Sequence, residues 1–202
     1  EIDSVTFERG MPHPIDRRGM KKYIAGEMCE TICDHWGIAD DINYKSVKQL
    51  IEELCECRKV GANFLLNVGL AGDGSLPKMQ EATMECIGRW MELFGKSIYN
   101  GRPCNTLSKG REFMLQDIND EKILYLFKFD LGKKGDDNVT VDFEDGNSVE
   151  FPNFNNEVGS IKWMDNGEKL AFKQQNGLLS VRPTGYIYGT SYCVRVAEVK
   201  LK

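Results

Sequence analysis

The stretch VGANFLLNVGLAGDGSLP, Val60 to Pro77, decides the fold class. Its first part, Asn63-Phe64-Leu65-Leu66-Asn67-Val68, is a nearly continuous apolar run of strand length. A strand with one wet face would alternate; a continuous run suits a parallel strand buried on both faces. Gly69 to Gly74 reads as a turn, and Pro77 suits the first turn of a helix, where its missing N–H is no loss. Upstream, Ser46 reads as an N-cap with Gln49 closing a capping box. Val47, Leu50, Ile51, Leu54 and Cys55 follow at helical spacing, and Gly61 fits the stop. Downstream, Met79, Thr83, Cys86, Ile87, Trp90, Met91 and Phe94 form the expected buried stripe of a second helix, ended by Gly95. Helix, buried strand, loop and helix make the rhythm of a β/α barrel.

Working outward, residues 1 to about 45 read as irregular, a charged segment punctuated by Gly10, Pro12, Pro14 and Gly19. After Arg102 helical periodicity stops. Strand-like runs follow at Glu112–Ile118, Ile123–Phe129, Asn138–Phe143, Ser160–Met164, Lys169–Phe172, Leu178–Val181 and Tyr192–Leu201. Asp145-Gly146, Asn166-Gly167 and Asn176-Gly177 punctuate them as turns. That pattern predicts an antiparallel β-sandwich. The expected fold class is therefore α/β plus all-β, with a boundary between Arg102 and Arg111: residues 1–102 in β/α units, residues 103–202 in the sandwich. A closed eight-stranded β/α barrel needs at least about 200 residues, so residues 1–102 hold only two or three of its units. The barrel is expected to be incomplete.

The 202 residues are 41% hydrophobic and 28% charged, with a formal net charge of -5. No basic stripe tracks a phosphate backbone; Arg17-Arg18, Lys21-Lys22 and Lys133-Lys134 are too short, which argues against a nucleic-acid partner. No run reaches the roughly 18 apolar residues of a membrane helix. The chain opens on Glu1 rather than Met, so processing or truncation is expected there. Seven cysteines and two histidines lack zinc-ligand spacing. They read as reduced, mostly buried thiols, which favours the cytoplasm unless a secretory or periplasmic signal has been lost. No motif for a nucleotide, redox cofactor or catalytic triad is present, and none implies a metal.

Three segments in order, GEMCETICDHWG (Gly26–Gly37), VGANFLLNVGLAGDGSLP (Val60–Pro77) and SIYNGRP (Ser97–Pro103), resemble the C-terminal third of the family 29 glycoside hydrolases, the α-L-fucosidases. The family patterns are roughly W-E-x-C-x-x-I-x-x-S-W-G-Y, S-K-G-G-N-x-L-L-N-x-G-P-x-x-D-G-x-I and A-I-Y-G-T-R. The resemblance implies a retaining hydrolase needing no cofactor, whose nucleophilic Asp lies upstream of anything matched here. It implies a general acid/base on a loop before W-E-x-C, in a D-x-x-T-x-E context. Asp3-Ser4-Val5-Thr6-Phe7-Glu8 fits, making Glu8 the first candidate and Glu27, the Glu of W-E-x-C, the second. Trp36 matches an aromatic that packs on the apolar face and methyl group of fucose. Asn63 and Asn67 shape the strand beneath, and Asp73-Gly74 forms a turn. This sequence departs from the family at Gly26 (Trp there), His35 (Ser) and Ile38 (Tyr).

The implied substrate is a fucosylated glycan or glycoconjugate. Two other readings stay open. The chain is a carbohydrate-binding or interaction module, using exposed aromatics such as Trp163, Tyr186, Tyr188 and Tyr192. Or it is half of a split enzyme, completed by an N-terminal barrel portion or by a second copy through its unpaired strand edges.

Overall fold

The computed structural model describes residues 4–13, 24–39, 41, 43–134, 148–187, 189 and 192–202. The chain packs as two compact units, Glu1–Arg89 and Trp90–Lys202.

The first unit is built on three parallel strands in the order β1 (Ser4–Glu8), β2 (Ala25–Thr31), β3 (Asn63–Asn67). Helix α1 (Val47–Lys59) makes the crossover from β2 to β3. Its ends are those expected. Ser46 Oγ accepts from the Gln49 N–H at 3.1 Å, although the Gln49 amide turns to Glu53 rather than back to the cap. At the other end Gly61 has φ 77°; its N–H donates to Arg58 O and the Ala62 N–H to Cys57 O. These two bonds make a Schellman cap, which glycine adopts without a Cβ penalty.

Two expectations fail here. Residues 1 to 45 are not irregular throughout, because β1 and β2 lie within them. And β3 is not buried on both faces. Among the described strands it is an edge, and Leu65 is 47% exposed. Phe64 and Leu66 alone turn inward, Phe64 against Met28, Cys57 and Ala62, and Leu66 against Ile32, Cys33 and Leu50.

Helix α2 (Lys78–Asn100) begins after Pro77, whose carbonyl accepts from the Glu81 N–H. It runs past Gly95, which sits inside the helix with Met91 and Tyr99 beside it. A glycine ends a helix when it takes the left-handed conformation, and Gly95 does not. The buried stripe is also shifted from the expected one. Gln80, Thr83, Trp90, Phe94, Ser97 and Ile98 are buried, whereas Met79 and Cys86 are exposed.

The second unit is an antiparallel sandwich. One sheet runs β4 (Gly101–Leu107), β5 (Phe113–Asp117), β6 (Ile123–Phe129), then β13 (Val194–Leu201) and β9 (Val158–Trp163). Between β6 and β9 in sequence come β7 (Lys133–Lys134) and β8 (Val149–Phe151). The facing sheet is β10 (Ala171–Gln175), β11 (Leu178–Arg182), β8. β12 (Tyr186–Ile187) pairs with β7 in a short parallel ladder. Leu124, Leu126, Ile161, Trp163, Ala197 and Val199 from the first sheet close on Val149, Phe151, Leu179 and Val181 from the second. Strands β6 and β13 are buried on both faces, and Trp90 donates to the Val194 carbonyl at 2.7 Å from the outer side. The β10–β11 hairpin turns at Asn176-Gly177, both at positive φ (52° and 73°), as a two-residue primed turn requires. The strand expected at Asn138–Phe143, the turn at Asp145-Gly146, and the basic pairs at 17–18 and 21–22 lie outside the described residues.

Two of the candidate sandwich aromatics are core residues, not surface ones. Trp163 and Tyr186 are 0% and 2% exposed. They clasp the Arg195 guanidinium, 4.4 and 4.6 Å from the ring centroids, and Asp165 pairs with it through two bonds. Tyr192 is half-buried against Phe94 and Tyr186. Tyr188 lies outside the described residues. Cys33, Cys55 and Cys57 are buried and Cys86 is exposed.

Candidate functional site

In a parallel sheet, partners in register share a face and successive residues alternate. The register therefore sorts the first unit into layers. On the helix side lie Phe7, Met28 and Phe64. On the opposite face lie Thr6, Glu27 and Asn63 in one layer and Glu8, Cys29 and Leu65 in the next. Thr31 and Asn67 form a last layer at the C-terminal end.

Glu8 and Glu27 thus share a face but not a depth. Glu8 is the last residue of β1 and is exposed. It is therefore at the strand end, not on a separate loop as expected. Glu27 is two residues further back along the ladder, roughly 6–7 Å deeper by strand rise. There it accepts from Asn63 Nδ2 at 2.6 Å. The other asparagine of the motif, Asn67, donates to the Trp36 carbonyl at 2.7 Å. Both asparagines have the supporting role expected of them. Between the two glutamates, Cys29 has its thiol pushed up by burial and by the charges of Glu27, Glu8 and Glu30.

Trp36 is carried on the loop from β2 to α1 and is 42% exposed. Contacts to the C-terminal end of β3 and bonds within the loop hold it in place. Asn67 anchors the Trp36 carbonyl. Gly69 lies so close that a Cβ there would stand 2.6 Å from the Gly37 carbonyl carbon. Cys33 Sγ donates to the His35 and Gly37 carbonyls at 3.2 and 3.7 Å. Across the neck, Asp34 N–H donates to Asn43 O and Lys45 N–H to Ile32 O. His35 Nε2 lies 2.6 Å from Asp41 Oδ2, a solvent-facing pair that gives this histidine a structural partner. Beyond β3, the Ser75 N–H and hydroxyl both donate to Asp73 Oδ1, and Gly74 has φ 83°. The Asp73-Gly74 segment is a self-contained turn.

The sequence reading missed the buried polar cluster behind this loop. Glu30, 4% exposed, accepts from Lys45 Nζ at 2.9 Å and from the Thr31 N–H at 2.7 Å, with Arg9 Nε at 3.7 Å. Burial alone would raise its carboxyl; Lys45, the Thr31 N–H and Arg9 outweigh it and hold the group below the ordinary carboxylate value. The only signal was an acidic residue in an otherwise strand-like segment, with its lysine fifteen positions away.

Residues 3–96 match the family described as alpha-L-fucosidase. Among curated relatives, a rat tissue alpha-L-fucosidase is 25% identical over 103 residues, which is 49% of this chain and 22% of the relative. The mouse tissue enzyme is 31% identical over 88 residues, 41% of this chain and 19% of the relative. A putative alpha-L-fucosidase of Caenorhabditis elegans is 30% identical over 112 residues, 54% of this chain and 22% of the relative. The matched segment is thus about a fifth of these relatives. Among solved structures, the Paenibacillus thiaminolyticus isoenzyme 1 superposes with a TM-score of 0.76 at 23% identity, covering 99% of this chain and 45% of that one. A Bacteroides thetaiotaomicron alpha-L-fucosidase gives 0.75 at 18% identity, covering 99% and 43%. Both units therefore have the fold of the corresponding part of fucosidase structures, and the chain spans under half of each.

Proposed function

We propose that these residues are the C-terminal part of a retaining glycoside hydrolase that releases α-L-fucose from glycans or glycoconjugates. Residues 1–102 supply the last βα units of its barrel and residues 103–202 its sandwich. In this reading the nucleophilic Asp is contributed from outside these 202 residues. It attacks the anomeric carbon while Glu8 protonates the leaving oxygen; Glu8, now a base, then activates the water that frees fucose from the enzyme. Trp36 packs on the apolar face and methyl group of the sugar.

The observation that carries the reading is the position of Glu8. It stands at the C-terminal end of a parallel strand, where β/α-barrel active sites form, on the face opposite α1. Glu27 shares the face but is deeper and hydrogen-bonded to Asn63. That favours Glu8 as the acid/base and Glu27 as a brace. A split enzyme is the second reading, favoured by the outer edge of β3 and the 47% exposure of Leu65; the remaining barrel then docks as a separate chain.

The test uses the complete protein of this reading, this chain together with a barrel portion supplied in the same chain or as a separate one. Glu8→Gln should lower turnover of an alkyl fucoside by about 10²–10⁴-fold. It should spare the first step on an aryl fucoside whose leaving group needs no proton, and added azide should then restore turnover. Glu27→Gln should show neither the leaving-group dependence nor the rescue. If Glu27→Gln shows that pattern and Glu8→Gln does not, the roles are reversed. If the complete protein does not turn over any fucoside, the reading fails.

A further inference from the structure

The cluster around Glu30 joins the two parts of the candidate site that sequence keeps apart. Glu30 is on the helix side of β2, away from the face carrying Glu8, so it has no direct approach to a sugar. Its oxygen Oε1 nonetheless receives Lys45 from one direction and Arg9 from another. Lys45 is the residue that closes the Trp36 loop. Its ammonium also donates to Thr31 O at 2.8 Å, Thr31 Oγ1 at 3.0 Å and Cys33 O at 3.2 Å, so it binds both sides of the loop neck. Arg9 directly follows Glu8. Its φ is 50°, left-handed for a residue with a Cβ, and its N–H donates to Cys29 O. That turn swings the guanidinium to Glu30 and onward to Asp34, donating to Asp34 O at 3.3 Å and standing 3.8 Å from Asp34 Oδ1. Asp34 is two residues before Trp36.

We propose that Glu30 is a positioning residue: through Lys45 it pins the neck of the Trp36 loop, and through Arg9 it ties that loop to the strand end carrying Glu8. A buried carboxylate and ammonium are costly to desolvate, and an apolar pair of similar volume would often stabilise as well. What the charges add is direction. Four acceptors around one ammonium, and four donor groups around one carboxylate oxygen, restrict the arrangements open to the neck. The consequence for catalysis rests on the fucosidase reading of Glu8 and Trp36; the tie itself does not.

The experiment separates the two. Trp90 and Trp163 are 1% and 0% exposed and Trp36 is 42% exposed, so acrylamide quenching of the full chain reports Trp36. The variants are Glu30→Gln, Lys45→Met and the double variant, which leaves no stranded charge. With the neck released, Trp36 goes from 42% exposed towards full exposure, and the quenching constant should rise about twofold. The Asp34 and Lys45 amides should exchange faster while the amides of α1 and Ala62 keep their protection. Parental quenching and exchange in the double variant would overturn the proposal. So would equal loss of protection in α1, which would make Glu30 a support of the whole unit. If quenching rises as expected but the sugar neither protects Trp36 nor is turned over by the complete protein, the tie stands and the fucosidase reading fails.

Discussion

Replacing Gly69 by alanine tests the placement of the Trp36 loop with a single methyl group. A Cβ at this position would stand 2.6 Å from the Gly37 carbonyl carbon, 2.8 Å from its oxygen and 3.0 Å from the Ile38 nitrogen. Ordinary contact begins near 3.4 Å, so the Gly37–Ile38 peptide must retreat by up to about 0.8 Å, the gap to ordinary packing at a close-packed contact. All three atoms are backbone, so no side chain can swing aside. The peptide is also held, by Asn67 at the preceding carbonyl and by Cys33. Inserting a methyl where the surroundings cannot yield costs about 1–3 kcal/mol. Gly72 is the control: it lies in the same turn and a Cβ there meets nothing within 4 Å.

The assay is urea unfolding of Gly69→Ala and Gly72→Ala, followed by Trp36 emission for the first unit and by Trp90 and Trp163 for the second. Gly69→Ala should lose about 1–3 kcal/mol in the first unit, and Gly72→Ala should stay within about 0.5 kcal/mol of the parent. On the proposed fucosidase reading, a retreat approaching 1 Å at a substrate-positioning group can cost up to about 10²-fold. It should then appear mainly in KM, since in that reading Trp36 packs on the sugar already in the ground state. Equal stability of the two variants would refute the packing argument and, with it, the claim that Gly69 sets the position of Trp36.

Two further expectations follow from the buried ionisable groups. Glu30 is held below its ordinary value of 4.5, so the folded state favours its charged form. That contribution is present in full above 4.5 and is lost as pH falls through the lowered folded value. The acid limb of first-unit stability should be shallower in Glu30→Gln than in the parent, and an unchanged limb would show that Glu30 is not held as described. Cys57 is buried and its thiol is pushed up to about 12, mainly by burial and then by Glu53, whereas Cys86 is exposed. Iodoacetamide at mildly alkaline pH should therefore label Cys86 in the folded chain and reach Cys57 only on unfolding, which mass mapping of the labelled peptides would read directly.

The elements legible in the sequence were those whose causes are local. The Ser46 cap and the Gly61 stop each act within one turn, and both bounded α1 correctly. The Asn176-Gly177 turn acts between adjacent residues and set the β10–β11 register. Strands β1 and β2 were illegible for the opposite reason. Their polar residues are compensated by partners far along the chain: Glu27 by Asn63, and Glu30 by Lys45 and Arg9. No window of ten residues contains the terms that make burying Glu30 affordable, so a strand carrying it reads as a loop. Gly95 misled because only φ distinguishes a helix-ending glycine from one in the helix interior. For Trp163 and Tyr186 the sequence left a surface role and core packing both open, because Arg195, the cation from β13 between their rings, is far along the chain from Trp163.

The illegible segments are also those that carry the candidate site. Local sequence preference and final structure should agree wherever only stability is at stake, and they part where function places polar groups on a scaffold. Among the described residues, the segments β1 and β2 within residues 1 to 45 are where they part most, and Glu8, Glu27, Glu30 and Trp36 fall within or directly after them. Had the site been in the sandwich, the conflict would be expected there. Instead most of the described sandwich strands follow from their own residues, and the Arg195–Asp165 pair is enclosed by aromatic rings, with Arg195 at 3% exposure. The location of the conflict is thus an argument for the C-terminal strand ends of the first unit as the place to look for the site, independent of any likeness to known enzymes.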